Sequence, residues 1–299
     1  MWLGRDRGYL SDWITQCWVT ISGRRIDLHE YPWLRGPTAG PEGIGKAFFD
    51  TLAAQLGLDV CRGIGVRGLL QDFRLLAGPA FDPADISPEI VSFYERTSGY
   101  EMDAWAEWSG FFRPFGRLLA HLFSRRLGQL NVPLSALDTS RGVTSEVLHL
   151  VDPLTGAIRY TAWVRTLLKT GQVLYCGSYS VCQVPGHPGG CVHVTFPLPN
   201  GNAIVIMRPR SHPDGSLSVT SSGDKFGDPG FYFTVHRRGI VRARYLRSLQ
   251  ETIHVYPASG EVVRADHTLS LWGAVFLRLH YRLRFGGHID SLVGDTGPA

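Results

Sequence analysis

The stretch CVHVTFPLPNGNAIVIMR, residues 191–208, is the strongest fold signal in the C-terminal half. Its two apolar, β-branched runs flank Pro199-Asn200-Gly201-Asn202, and Asn-Gly is the strongest short signal for a tight turn between antiparallel strands. The run Ala203–Met207 is apolar at every position, so both faces of this strand need cover. The stretch therefore predicts a hairpin in a larger sheet, with one face under the N-terminal helices and the other facing a lumen or a second sheet.

On either side of this hairpin, short apolar and β-branched runs separated by turns predict about ten strands after residue 140. They cover residues 146–151, 157–167, 172–182, 191–198, 203–208, 217–222, 231–236, 242–256, 261–266 and 269–284. The gaps are too short for parallel crossovers, so the sheet should be antiparallel. Closure into a barrel removes exposed edges, and a barrel of about eight to ten strands can hold one small ligand.

Before residue 140 the apolar spacing is helical, and it predicts helices over residues 43–58, 69–77, 88–97 and 103–130. The last has an acidic start and a basic end, which suits the helix dipole. We expect an α+β protein with an N-terminal helical part (1–140) packed on a C-terminal antiparallel β-barrel (141–285). A flexible tail over 286–299 completes what should be one co-folded unit.

Composition excludes several classes of protein. The 299 residues are 44% apolar and 19% charged, which is too apolar for a disordered chain and too mixed for a helical membrane bundle. No apolar run approaches the ~18 to 20 residues that cross a bilayer, and the charged N-terminus is unlike a signal peptide. The five cysteines lack framework spacing. We expect a cytoplasmic protein with reduced thiols and no membrane partner.

The motifs that suggest cofactors are incomplete. GPEGIGKA, residues 40–47, has Ala47 where a phosphate-binding loop needs Ser or Thr, and GIGVRG, residues 63–68, lacks the second strand of a dinucleotide-binding unit. The Cys and His residues between 176 and 193 lack zinc-ligand spacing. The net charge of +4 is small, and no nucleic-acid motif accompanies the arginine-rich strands. We therefore expect no cofactor, no metal and no nucleic acid.

The hairpin at Pro257-Ala258-Ser259-Gly260 leaves two registers open. A two- or four-residue loop places Glu251 opposite Asp266, whereas the three-residue loop Ala258-Ser259-Gly260 places Glu251 opposite His267. Facing carboxylates would raise one pKa, and a facing Glu and His would form an oriented acid/base dyad. The structural alternative is a rim position where water and Arg264 screen these groups.

Aromatic and polar residues on the strands are candidates to line a ligand cavity, since Tyr and Trp combine an apolar body with a polar tip. The alternative is that the same side chains pack into a solid aromatic core. The candidates are Tyr160, Trp163, Arg165, Tyr175, Tyr179, Tyr232 and His254.

The strings FPLPNGNAIVIMRP (196–209), GDPGFYF (227–233) and RADHTLSLWG (264–273), in an antiparallel half that follows a helical part, loosely resemble lipocalin-like (calycin) barrels. The resemblance covers residues 140–284 and is architectural, so it transfers no functional residue. It implies a carrier of hydrophobic ligands or a cofactor-free cyclase or hydratase acting on polyketide or terpenoid substrates.

Two functions from different classes follow. The first is a barrel that binds an apolar small molecule and isomerises or cyclises it, with Glu251 and either Asp266 or His267 supplying the proton. The second is a noncatalytic binding or assembly protein whose arginine rows, including Arg282 and Arg284, meet an acidic partner.

Overall fold

The structure is a computed structural model, and it describes residues 1–286 apart from 5–6, 42–43, 46, 64, 110–113, 115–142, 169 and 261. The described α-helices are α1 (Leu10–Ser22), α2 (Phe48–Leu56) and α3 (Pro88–Glu95). α2 confirms the central part of the helix predicted over 43–58, and α3 confirms the helix predicted over 88–97 except for its last two residues. The segment predicted as a helix over 69–77 contains only a 3-10 turn, Phe73–Leu76.

The described strands dominate the chain. They are β1 (Arg24–Ile26), β2 (Asp59–Cys61), β3 (Tyr100–Trp108), β4 (Val143–Val151), β5 (Ile158–Leu167), β6 (Val173–Val184), β7 (His187–Leu198), β8 (Gly201–Ser211), β9 (Leu217–Thr220), β10 (Phe231–Arg237), β11 (Ile240–Tyr245), β12 (Leu249–Ala258), β13 (Val262–Leu271) and β14 (Ala274–Phe285). The region expected as one strand over 242–256 is therefore two, β11 and β12.

Ten of these strands close an antiparallel barrel, so the expected fold class is confirmed. The ring runs from β3 through β4, β5, β6, β7, β8 and β9 to β12, β13, β14 and back to β3. Among the described residues, β3 and β4 are joined by the single pair Met102–Val143. The barrel agrees with the lipocalin-like architecture expected from the sequence.

Strand β8 branches the sheet. Its first half pairs with β10 from Gly201 to Val205, and its second half pairs with β9 from Arg208 to Ser211. β10 pairs in turn with β11, and β11 with β1. The barrel therefore carries a side extension made of β10, β11 and β1.

The two apolar faces of β8 are both covered, as its sequence predicts. Val205 and Met207 belong to the core cluster inside the barrel. Ile204 and Ile206 pack on the other side in a separate cluster with Leu34, from the 3-10 turn Pro32–Leu34 of the N-terminal segment.

The helices cover the barrel at different places. Phe93 and Tyr94 of α3 belong to the core cluster inside the barrel, and α3 contacts β12 and β13. α2 lies on the outer face of β4 and β5, where Phe49 packs with Leu148 and Val164. The side chains of α3 thus close one end of the lumen.

The helix predicted over 103–130 is wrong for residues 103 to 108, and its remainder lies almost wholly outside the described residues. These residues belong to β3, whose burial alternates with period two from Tyr100 to Ala104. Glu101, Asp103 and Glu107 pair with Arg284, Arg282 and Arg278 of β14. The acidic residues therefore lie opposite a basic strand, and β3 belongs to the barrel although it precedes residue 141. The tail expected over 286–299 lies outside the described residues except for Gly286.

Candidate ligand-binding site

The barrel encloses a cavity of about 330 Å³. Its walls are mainly aliphatic and aromatic side chains, and these alternate along the strands with residues that face outward. The wall residues include Val194, Phe196, Val205, Met207, Leu269 and Leu277. Volumes of roughly 300–1,000 Å³ with apolar walls are typical of small-molecule pockets. The alternative of a barrel filled solid by aromatic side chains is therefore wrong.

A buried arginine lies in this apolar wall. Arg165 is 6% exposed, and its guanidinium carbon lies 4.0 Å from the ring centre of Trp163 and 4.4 Å from that of Tyr175. Its Nη1 donates to the sulfur of Met102 at 3.4 Å. Its Nε is buried and has no hydrogen-bond partner among the described residues. The charge is thus held by ring faces, without a carboxylate within 4 Å in the described part of the chain.

An acid/base pair faces the same cavity. Nε2 of His267 lies 2.9 Å from Oε2 of Glu251, and both side chains are largely buried. Glu251 is further held by its backbone, since its N–H donates to Oγ of Ser221 at 3.0 Å. The arrangement orients one ring nitrogen toward a carboxylate, which is the geometry that proton transfer requires.

Neither register considered for the β12–β13 hairpin is correct. The turn lies between Ala258 and Val262, so Glu251 pairs with Leu269, and His267 pairs with Ile253. Glu251 and His267 are diagonal neighbours on the lumen face, and diagonal pairs lie within reach of long side chains. The expected Glu251–His267 contact is therefore present, although the two residues do not face each other directly.

Tyrosines complete the polar part of the lumen, and three of them lie on the strands. Burial raises the pKa of Tyr179 to about 12, and it also raises the pKa values of Tyr175 and Tyr281. These phenols therefore stay neutral at physiological pH and can donate hydrogen bonds to an oxygen of a bound molecule.

The comparisons with known proteins give one relative. Neither a protein-family model nor a solved structure matches the chain. Over 259 residues, 86% of this chain, the sequence is 30% identical to a Bacillus subtilis (strain 168) protein named Uncharacterized membrane protein YndJ. The match covers 44% of YndJ, so the chain spans less than half the length of this relative. Within the described ranges, no helix is both long enough and apolar enough to span a bilayer.

The sequence-predicted site residues divide between lumen and exterior. Trp163, Arg165, Tyr175 and Tyr179 line the cavity together with Glu251 and His267. The other four residues do not line this cavity, because strand parity or position puts them elsewhere; these are Tyr160, Tyr232, His254 and Asp266.

Each of the four has a structural role outside the lumen. Asp266 accepts from Tyr256 at 3.2 Å and lies 2.6 Å from Nδ1 of His280 on the outer face. The Tyr232 hydroxyl donates to the Asp228 carbonyl. His254 contacts Ser216 at 2.9 Å, and Tyr160 packs under α2.

Sequence reasoning missed Met102 and Tyr281 as lumen residues. Arg278, His280 and Arg282 share one face of β14, so Tyr281 must point to the other face, toward the lumen. That parity signal was present in the sequence. Met102 has no such signal, because the charges that follow it from residue 103 onward favour a helix over the strand that the structure shows.

The described residues contain no group of three or more His, Cys, Asp or Glu side chains arranged for a metal ion. Cys182 and Cys191 are directly paired across β6 and β7, and both are free thiols.

Proposed function

We propose that the barrel binds a small, predominantly apolar molecule in its lumen. The observation that carries the proposal is the cavity of about 330 Å³ inside a closed barrel, walled by apolar side chains and closed at one end by α3. A core of this size normally packs without voids larger than a water molecule. The unfilled volume is therefore best explained by a guest.

The polar side chains define one end of that guest. Arg165 offers a fixed cation beside neutral tyrosine hydroxyls, and a guanidinium binds carboxylate or other oxygen acceptors well. The favoured ligand is thus an apolar molecule with one oxygen-bearing end. The name of the relative, a membrane protein, supports a function close to a bilayer, where such molecules partition.

The Glu251–His267 contact favours a second candidate, which is acid/base chemistry on the bound molecule. Glu251 would accept a proton from an acidic C–H of the guest, and His267 would orient the carboxylate. Isomerisation or cyclisation without a cofactor is the reaction class that this pair supports. The noncatalytic assembly hypothesis receives less support, because Arg282 and Arg284 each pair across strands with an acidic residue of β3.

Native mass spectrometry of freshly purified protein tests binding. We expect a co-purified compound with the wild-type chain and its loss with Ala104→Phe, which adds a ring to the lumen wall. Thr268→Phe is the matched control, since Thr268 lies on the outer face between His267 and Leu269. Equal occupancy in both variants, or no compound and no uptake of added apolar carboxylates, would refute luminal binding.

Deuterium exchange tests the chemistry without knowledge of the product. The extracted compound is incubated in D₂O with wild-type protein, with Glu251→Gln, or with Glu107→Gln, whose carboxyl lies on the outer face. Deuterium incorporation by the wild type and Glu107→Gln, but not by Glu251→Gln, is expected. Exchange that is equal in all three would remove Glu251 as the base and leave a carrier.

A further inference from the structure

Helix α1 presents four large apolar side chains to solvent. Leu10, Ile14, Trp18 and Ile21 are 39%, 56%, 40% and 85% exposed. At 100° per residue these four positions fall within an arc of about 80°, so they form one stripe on the helix.

The opposite side of α1 is buried and mostly polar. Asp12 accepts from the backbone N–H of Tyr9 at 3.3 Å, and Gln16 donates to the carbonyl of Pro199 at 3.1 Å. Both side chains are at most 5% exposed. The hydrogen bond of Gln16 and the packing of Val19, which is 1% exposed, attach this side of the helix to the protein, while the stripe of larger apolar side chains is directed outward.

The exposed stripe is connected to the lumen by aromatic contacts. The ring of Trp18 lies 5.9 Å from that of Phe233, and Phe233 lies 5.4 Å from Phe231. Phe231 lines the cavity and pairs with Val205, another cavity residue. An unbroken row of apolar side chains thus leads from the lumen to the outer surface of α1.

Arginines border the stripe at the C-terminal end of α1. Arg237, Arg238 and Arg242 line a depression together with Thr20 of the helix and Ile240. Arg25 is exposed and pairs with Arg242 across β1 and β11. In the described part of the chain, none of these four arginines has a carboxylate within 4 Å. The border is therefore a positive charge without a counterion among the described side chains.

We propose that the α1 stripe and its arginine border form a docking surface for an anionic lipid bilayer. An apolar helix face bordered by basic side chains matches the interfacial region of such a membrane, where apolar groups enter the acyl boundary and arginines meet lipid phosphates. The row from Trp18 to Phe231 then provides a path for an apolar guest between bilayer and lumen, and this transfer step rests on the proposed function. The sequence-based expectation of no membrane partner rested on the absence of a spanning segment, whereas this proposal concerns contact at the bilayer surface.

Vesicle flotation with the full chain tests docking. We expect binding to phosphatidylcholine vesicles containing 30% phosphatidylglycerol, weaker binding to phosphatidylcholine alone, and further weakening at high salt. The double variant Ile14→Glu/Ile21→Glu should lose binding at least about tenfold, since each exposed isoleucine would otherwise enter the bilayer. Leu154→Glu, at a 94% exposed turn position, is the matched control and should bind as the wild type does.

Charge reversal tests the border. Arg237→Glu/Arg238→Glu should weaken binding to anionic vesicles by more than about tenfold, at roughly fivefold per arginine removed, while binding to neutral vesicles stays the same. Equal loss with Leu154→Glu, or no vesicle binding by wild-type protein, would overturn the proposal. So would sedimentation showing that Ile14→Glu/Ile21→Glu dissociates a dimer of the chain without any effect on vesicles.

The two proposals fail separately. Native mass spectrometry of Ile14→Glu/Ile21→Glu reports luminal binding independently of docking, because neither isoleucine lines the cavity. Vesicle binding by a chain that captures no guest would leave docking intact and refute both transfer and the proposed function. A captured guest with no vesicle binding would refute docking and transfer, and it would leave the proposed function intact.

Discussion

Arg165 should make the empty barrel less stable than a barrel with an apolar side chain in its place. The guanidinium is buried, and its Nε has no hydrogen-bond partner among the described residues. Removing such a charge from water costs several kcal/mol, and an unsatisfied donor adds about 1–3 kcal/mol. The rings of Trp163 and Tyr175 at 4.0 and 4.4 Å return about 2 kcal/mol each.

The cost of burying the Arg165 guanidinium exceeds what the two rings return, so an apolar side chain at this position should stabilise the empty barrel. Methionine matches the length of the arginine stem and carries no charge, so Arg165→Met should raise the free energy of unfolding by about 1–3 kcal/mol. The same variant should bind an oxygen-bearing guest at least about tenfold more weakly, because a charge-assisted hydrogen bond is worth about 1.5–3 kcal/mol. Stability and binding should therefore change in opposite directions.

Urea unfolding of protein that mass spectrometry shows to be free of any guest measures the stability term. A bound guest would stabilise the wild type by about 2.7 kcal/mol at one hundred times its Kd and would hide the effect. Arg159→Met, at an exposed position of the same strand, is the control and should stay within about 0.5 kcal/mol of the wild type. If Arg165→Met lowers the free energy of unfolding by more than 1 kcal/mol, the contacts with the rings fully offset the cost of burying the charge. Arg165 would then stabilise the fold, and the prediction would be refuted.

Three further outcomes are expected. Burial lowers the pKa of His193 to about 4, against about 6.5 in an unfolded chain. The neutral imidazole therefore contributes its full stabilisation above pH 6.5, and the free energy of unfolding falls by about 3 kcal/mol as the pH is lowered to 4. Urea unfolding of His193→Gln at pH 7 and pH 4 should lack this fall of about 3 kcal/mol. Burial raises the pKa of the Cys176 thiol to about 12, so peptide mapping should find it unalkylated by iodoacetamide in the folded protein and alkylated in urea. Gly201→Ala should lower the free energy of unfolding by about 1–3 kcal/mol in thermal or urea melts, because a Cβ at this position would overlap the carbonyl oxygen of Thr234. Gly171→Ala is the comparison: Gly171 has a positive φ but open space around it, so the loss of unfolding free energy should be smaller.

The parts of the fold that follow from local pattern were predictable. The period-two and continuous apolar runs after residue 140 gave an antiparallel barrel, and Ala203–Met207 required cover on both faces, which Leu34 and the lumen provide. β3 was missed because its charges were assigned to a helix dipole. The positive charge that pairs with Glu101 is Arg284 of β14. The two residues are far apart in sequence, so only the closed barrel brings them together.

The site was predictable to the extent that strand parity is predictable. On β5 and β6, Trp163, Arg165, Tyr175 and Tyr179 were selected together, and all four line the lumen. Tyr232 lies on β10 of the side extension, where alternate side chains are buried in a cluster outside the barrel. β10 leaves the barrel because β8 pairs with both β9 and β10, and no local sequence signal predicts this branching.

The Glu251–His267 pair shows why part of a wrong register can still give the right contact. Paired residue numbers on β12 and β13 sum to 520, whereas the loops considered from the sequence gave 517 or 518. Even sums keep Glu251 and His267 on one face of the sheet, and an odd sum puts Asp266 there instead. A shift of two residues therefore converts a facing pair into a diagonal pair that still meets at 2.9 Å. Parity decides which side chains enter the lumen, and the exact register decides only which neighbour each one touches.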